Sequence, residues 1–243
     1  TIFCEKPLDL NINKIIKTFK KVKKIKPRIQ LGFNRRYDPG HFTIKKDLDR
    51  NKIGKLEKII ITSRDPSPPS ISYLKSSGGI FRDMMIHDFD LCRFYLGKDE
   101  IDQVHAFTSS FEPFYKRIKD HELAVVTMKS KRGVICVITN SRHCSFGYDQ
   151  RVELFGKNGM LISGNKRENS TECFNSNQTS SQKPFLNFFM ERYDDAYNLQ
   201  LKELILLHKN KIKSRSTFKD GYLALKLANA AYKSLKLKKT IKV

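Results

Sequence analysis

Four short segments between residues 101 and 162 limit the folds that this chain can adopt. Each is rich in β-branched and aromatic residues, with partial alternation of apolar and polar positions. The segments are Val104–Ser110, Glu122–Lys129, Gly133–Ser141 and Gln150–Phe155. Glycine-containing turns at 131–133 and 156–159 join neighbouring segments as hairpins. The pattern predicts an open, mostly antiparallel sheet.

The front of the chain has a different pattern. Thr1–Cys4 and Arg28–Phe33 read as strands, and an amphipathic helix is predicted between them from Asn11 to Lys24. This spacing is typical of a parallel βαβ unit. We therefore predict an α+β fold in which one βαβ unit, residues 1–37, precedes a larger part formed by residues 38–243. Because the chain begins with Thr inside a strand, we expect it to be a fragment.

Further elements complete the predicted α+β organisation. A strand is predicted at Leu56–Ser63, followed by a proline-rich loop. Helices are predicted on one face of the sheet, at His41–Asn51, Ile80–Leu96, Phe188–Lys209 and Phe218–Leu235. The basic tail Lys236–Lys242 is interpreted as solvated charge.

The net charge of +22 raises the possibility of nucleic-acid binding. The lysines are nevertheless spread along the whole chain, and the dense run Lys14–Lys26 is interleaved with apolar residues at helical spacing. A nucleic-acid partner is therefore the weaker alternative. No apolar run is long enough for a membrane span. The five scattered cysteines fit a reducing compartment, and we expect a cytoplasmic protein.

The segment Gly78–Asp90 holds the candidate catalytic residues. On a continuous helix, Asp83, His87 and Asp90 fall within about 60° of one another. A histidine between two carboxylates is expected to have a raised proton affinity, which suits a general base. The alternative interpretation is an ordinary polar helix face.

Polar side chains also follow both predicted strands of the βαβ unit. Lys6 comes directly after the first strand, and Asn34, Arg35 and Arg36 come after the second. Ligands of parallel α/β sheets bind beyond the carboxyl ends of the strands. These residues are therefore candidates for contacts with a polyol, although an ordinary charged turn would produce the same tripeptide at Glu5–Pro7.

The ordered set of these motifs resembles the Gfo/Idh/MocA oxidoreductases, and in particular their inositol 2-dehydrogenase branch. The resemblance covers essentially the whole chain, and it implies that residues 1–37 are the remnant of a dinucleotide-binding (Rossmann) domain and that residues 38–243 form the substrate-binding, catalytic domain. It is carried by Cys4–Pro7, Gly32–Pro39, Gly78–Asp90, Gly147–Gly156, Phe188–Tyr197 and Asp220–Leu225.

The resemblance implies an NAD(P)-dependent dehydrogenase that oxidises a secondary hydroxyl of a cyclitol or sugar. It implies that Lys6 and His87 form a proton relay, with His87 as the base, and that Asp83 binds a neighbouring hydroxyl. Asn34, Arg36 and Tyr148 would contact the polyol, and Glu5, Lys6 and Pro7 would lie beside the nicotinamide, with Pro7 preceded by a cis bond. It also implies a homo-oligomer, a homotetramer, formed through the exposed face of the sheet.

One feature departs from the family pattern. The sequence contains no G-x-G-x-x-G turn, which cradles the pyrophosphate of a dinucleotide at a helix N-terminus. We therefore expect NAD or NADP to bind this chain poorly. Two alternatives stay open: a related dehydrogenase acting on another sugar or a dihydrodiol, and a non-catalytic relative that acts as a binding or oligomerisation module.

Overall fold

The computed structural model describes residues 1–243 and contains eleven strands arranged in three sheets. The strands are β1 Ile2–Cys4, β2 Ile29–Leu31, β3 Leu56–Arg64, β4 Ile101–Ser109, β5 Leu123–Ser130, β6 Ile135–Ser141, β7 Asp149–Gly156, β8 Gly159–Ser163, β9 Glu172–Cys173, β10 Ser181–Gln182 and β11 Ile241–Lys242. The helices are α1 Ile12–Ile25, α2 Pro39–Asp49, α3 Ile71–Ser76, α4 Ile80–Asp83, α5 Ile86–Leu96, α6 Pro113–Ile118, α7 Phe189–Arg192, α8 Asp194–His208 and α9 Phe218–Leu237. None of these helices is both long enough and apolar enough to cross a membrane.

The predicted βαβ unit is confirmed. β1 and β2 pair in parallel, with Ile2 opposite Ile29, and α1 forms the connection between them. The side chain of Asn11 accepts a hydrogen bond from the backbone N–H of Asn13, which satisfies a donor at the start of α1. Ile15 is buried, whereas the lysines of this helix face solvent.

The predicted antiparallel sheet is also confirmed, with one parallel pair. Its seven strands follow the order β11-β4-β5-β6-β3-β7-β8. Only β3 and β6 run parallel, and the other five neighbouring pairs are antiparallel. The strands alternate buried and exposed residues, as expected for a sheet with one face covered.

Helices cover one face of this sheet, where α5 and α9 pack. The resulting apolar core joins the sheet to the front of the chain, because Ile15 and Leu31 belong to the same cluster as the inward-facing residues Val126 and Ile138. Residues 1–37 and residues 38–243 thus differ in sequence pattern but share one apolar core. The predicted domain boundary between residues 37 and 38 stays a prediction.

The C-terminal part of the chain differs from the prediction in two places. The lysines of the tail Lys236–Lys242 are exposed, as predicted, but the tail also contains an unpredicted strand, because Ile241 is buried and β11 pairs with β4. The single helix predicted for Phe188–Lys209 is two helices, α7 and α8, which meet at Tyr193.

The helix predicted for Ile80–Leu96 is interrupted after Asp83. The backbone N–H of Met85 donates to the carbonyl oxygen of Ile80, five residues earlier, at 2.9 Å. An i→i−5 hydrogen bond places one extra residue in the turn. The side chains of α5 therefore point in directions different from those that a continuous helix from Ile80 would give them. The positions assigned to Asp83, His87 and Asp90 on a continuous helix consequently do not hold.

Candidate active site

A cavity of about 780 Å³ lies beyond the carboxyl ends of β1 and β2, where the proline-rich loop and α4 face α7 and α8. Twenty residues line it. They include seven of the residues that the sequence singled out, namely Glu5, Lys6, Asn34, Arg35, Asp83, His87 and Tyr148. Two strand ends, one interrupted helix and a sheet strand therefore deliver these side chains to one cavity.

Lys6 leaves the end of β1 and reaches the last residue of α4. Its Nζ donates to the backbone oxygen of Asp83 at 2.8 Å and lies 3.3 Å from Oδ1 of the same residue. The Lys6 side chain is only 18% exposed. The peptide bond between Lys6 and Pro7 is cis, in agreement with the sequence-based expectation. The ammonium group is therefore held at the cavity wall by the residue predicted to bind a hydroxyl.

The Asp83 carboxylate is surrounded by donors. Oδ1 accepts from the hydroxyl of Tyr73 at 2.7 Å as well as from Lys6, and Oδ2 accepts from Arg142 at 3.4 Å. Arg142 is fully buried and also donates to Asp120. Three donors of this kind stabilise the charged form of a carboxylate, which can then accept a hydrogen bond from a ligand hydroxyl.

His87 lies in the first turn of α5 and lines the same cavity. Its side chain makes no hydrogen bond to Lys6 or Asp83, and its ring meets the ring of Phe33 edge-on at a centroid distance of 6.0 Å. The prediction of a raised proton affinity is wrong: burial and the positive charges of Lys6 and Arg35 hold the pKa of His87 well below 6.5. The imidazole is thus a neutral group.

Arg36 and Asp90 do not face the cavity, which corrects the expectation that Arg36 contacts the polyol. The Arg36 guanidinium donates to both oxygens of Asp90 at 2.7 Å and also pairs with Asp220 at 3.0 Å. The two carboxylates hold Arg36 in a buried ion-pair network behind the site. The neighbouring Arg35 lines the cavity instead.

Arg35 is fixed by a second buried network. Its Nη1 donates to Asp88 and, at 3.0 Å, to the hydroxyl of Ser63. Asp88 has no exposed surface and also accepts from the side-chain amide of Asn140 at 2.8 Å. The network therefore connects Arg35 in the cavity wall to the middle strands of the sheet. Its central carboxylate, Asp88, is the residue that follows His87 in the chain.

Three further cavity residues were not found from the sequence. Tyr73 is on α3, Tyr193 is at the start of α8, and Asp65 follows β3. Burial raises the pKa of Asp65 to about 6, although the charges of Arg142 and Arg35 act in the opposite direction. No periodicity marks these positions, because they lie on loops or at helix ends. The position of Asp65 at the end of a strand was the one available signal.

Gly147 controls the placement of Tyr148, and its replacement by alanine is expected to be costly. Its φ is +107°, and an added Cβ would lie 2.4 Å from the backbone oxygen of Phe185. Gly133 is the matched control, since its φ is +93° but nothing lies near the added carbon. We expect Gly133→Ala to lower the free energy of unfolding by about 1–2 kcal/mol. Gly147→Ala should lower it by about 1–3 kcal/mol more.

Urea denaturation of both variants measures this difference, and polyol binding reports the displacement of Tyr148. Equal losses in Gly133→Ala and Gly147→Ala would show that the segment around Phe185 moves aside freely.

The sequence and fold agree with those of known proteins. A family model described as GFO/IDH/MocA C-terminal domain matches residues 41–162. A myo-inositol 2-dehydrogenase of Thermotoga maritima is 40% identical over 243 residues, which are all of this chain and 72% of that protein. The chain belongs to the Gfo/Idh/MocA family.

Solved structures of this family superpose closely on the chain. A myo-inositol dehydrogenase from Corynebacterium glutamicum has a TM-score of 0.94 and 39% identity, over 99% of this chain and 72% of that one. A scyllo-inositol dehydrogenase from Lactobacillus casei, solved with bound NAD(H) and scyllo-inositol, has a TM-score of 0.88 and 27% identity over 99% and 72% of the two chains. A member of the Gfo/Idh/MocA family that shares this fold therefore binds NAD(H).

Proposed function

We propose that this chain is the polyol-binding and proton-transferring part of an NAD-dependent dehydrogenase that oxidises a secondary hydroxyl of a cyclitol, as a myo-inositol 2-dehydrogenase does. The observation that carries the proposal is the convergence of Lys6, Asp83 and His87 on one cavity, together with Asn34 and Tyr148. The similarity to inositol dehydrogenases at 37–40% identity supports the same function.

Each side chain has a role that follows from its surroundings. Asp83, held by its donors, accepts a hydrogen bond from one hydroxyl of the polyol. The neutral imidazole of His87 has a lone pair for the proton of the hydroxyl that is oxidised. Because positive charge nearby disfavours the imidazolium, the proton is passed on rather than retained. Lys6 is the next group in the relay, and its ammonium group releases one of its own protons to solvent before the resulting amine accepts the proton from His87.

We propose that the nicotinamide end of NAD, which would accept the hydride, binds beside the end of β1. Glu5, Lys6 and Pro7 are at the end of β1, and Glu5 and Lys6 line the cavity. The residues present here do not include a glycine-rich phosphate turn. We propose that the adenosine and pyrophosphate parts of NAD or NADP are poorly held by these 243 residues. Micromolar binding of NAD to this chain would overturn that statement.

The decisive experiment is ligand binding to the purified chain, followed by turnover. Saturation-transfer NMR should detect myo-inositol bound to the wild type and a weaker but still measurable affinity in Asp83→Asn, whereas the exposed-site control Asp49→Asn should bind normally. With millimolar NAD⁺, formation of NADH from myo-inositol should exceed that from glucose. A preference for glucose or a dihydrodiol would favour a different substrate, and binding without any turnover would favour a non-catalytic module.

The uncovered face of the seven-stranded sheet supports a homo-oligomer. Large apolar side chains are exposed there on strands β4 to β8, namely Phe107, Val125, Ile135, Phe155, Met160 and Ile162. Large apolar side chains exposed on one face of a sheet are typical of an interaction surface. We propose assembly through this face into a homotetramer. Sedimentation of Ile162→Glu, compared with the exposed loop variant Phe111→Glu, tests it: only the first should dissociate.

The five free cysteines support a reducing compartment, and we propose the cytoplasm.

A further inference from the structure

The shortest hydrogen bond to the Asp83 carboxylate comes from a residue that the family motifs do not include. The Tyr73 hydroxyl donates to Oδ1 at 2.7 Å, compared with 3.3 Å for Lys6 and 3.4 Å for Arg142 at Oδ2. A short O–H···O⁻ contact is a charge-assisted hydrogen bond of the stronger kind. Tyr73 is also the only uncharged donor of the three. Its hydrogen bond therefore orients the Asp83 carboxylate without adding a positive charge beside it.

Tyr73 is placed for this contact by the segment between β3 and α4. The Ser70 hydroxyl accepts the backbone N–H of Tyr73 at 3.3 Å and caps α3, which follows the cavity-lining residues Pro66–Pro69. The Tyr73 side chain is 46% exposed, and it lines the cavity. Burial and the neighbouring Asp83 raise the pKa of the Tyr73 phenol, which keeps the hydroxyl protonated as a donor.

The number of acceptor positions on Asp83 gives this contact a consequence for substrate choice. A carboxylate offers about four lone-pair positions. Tyr73, Lys6 and Arg142 occupy three of them, and one position is left for a ligand. Without the Tyr73 hydroxyl, a second position on Oδ1 becomes free and the carboxylate can turn.

We propose that Tyr73 is a positioning and specificity-determining residue, which fixes the Asp83 carboxylate so that a single acceptor position faces one hydroxyl of the polyol. The proposal rests on the function proposed above. Tyr73 acts through Asp83, and it is distinct from the groups that exchange protons with the substrate.

A double-mutant cycle on myo-inositol binding tests this assignment with the full 243-residue chain. Tyr73→Phe is expected to weaken binding about tenfold, since the Asp83 carboxylate is no longer held in one orientation before the polyol binds. In the Asp83→Asn background, the same substitution should change the affinity by less than about twofold, because the two side chains act as one unit. Tyr73→Phe should also reduce the discrimination between myo-inositol and scyllo-inositol.

The matched control is Tyr232→Phe. Tyr232 is also 46% exposed but lies on α9, where the Arg82 guanidinium covers its ring at 5.4 Å. It should leave affinity and epimer preference unchanged. Thermal unfolding of Tyr73→Phe should remain close to that of the wild type, which separates a binding effect from a folding defect.

The outcomes separate the two proposals. If the wild type binds no myo-inositol, the proposed function fails and this inference fails with it. If the wild type binds but Tyr73→Phe and Asp83→Asn have additive effects, or Tyr73→Phe weakens both epimers equally, only the assignment of Tyr73 is overturned.

Discussion

Replacement of Asp88 by alanine is expected to lower the free energy of unfolding by about 3–5 kcal/mol. Asp88 is fully buried and accepts hydrogen bonds from Arg35, Ser63 and Asn140. Its removal leaves the Arg35 guanidinium, only 5% exposed, without a counter-ion. Loss of one partner of a buried ion pair is costly because the other charge stays desolvated. Urea denaturation measures the loss.

Two comparison variants make the Asp88 result specific. Asp49→Ala removes a carboxylate that pairs with Lys45 on the exposed surface of α2, and it should cost less than about 1 kcal/mol. The double variant Arg35→Met/Asp88→Leu should recover part of the stability lost in Asp88→Ala, because no unpaired charge remains. A loss below about 1 kcal/mol in Asp88→Ala would show that Arg35 reaches solvent or another carboxylate.

The second large effect is expected from His87→Gln. If the imidazole takes the hydroxyl proton, turnover of myo-inositol at millimolar NAD⁺ should fall by about 10²–10⁴-fold. The affinity for myo-inositol should change little, because His87 makes no hydrogen bond to Asp83, the side chain that we propose binds the polyol. NADH formation and saturation-transfer NMR measure the two quantities separately.

The control for this prediction is His105→Gln. His105 lies on β4 and bonds to Thr240, away from the cavity. Turnover should be unchanged in that variant. If His87→Gln retains a tenth or more of the wild-type turnover, the proton leaves by a route that does not include the imidazole.

Much of the fold was predictable because its signals are local. The strands β4 to β7 follow from alternation along each segment, and α1 follows from apolar residues at helical spacing. The parallel pairing of β3 with β6 was not predictable in this way. It joins residues about 77 positions apart, such as Ile59 and Cys136, and depends on which strands share the core.

The candidate site was predictable in its members but not in its geometry. Lys6, Asp83 and His87 do line one cavity, as the motifs imply. Their contacts depend on long-range placement. Arg36 is turned away by Asp90 and Asp220, and the partners of Asp83 include Arg142, which comes from the end of a distant strand. A helical wheel also has no means of representing the extra residue at Met84–Met85.

That extra residue makes the spacing between Asp83 and His87 intolerant of length changes. Deletion of Met84 or Met85 would allow a continuous helix to form, with the backbone hydrogen bonds of a regular ladder. The deletion would also turn His87 by about 100° relative to Asp83, which is the rotation of one helical residue. The carboxylate and the imidazole would then face different surroundings. This segment should therefore tolerate a substitution of Met84 or Met85 better than the deletion of either residue.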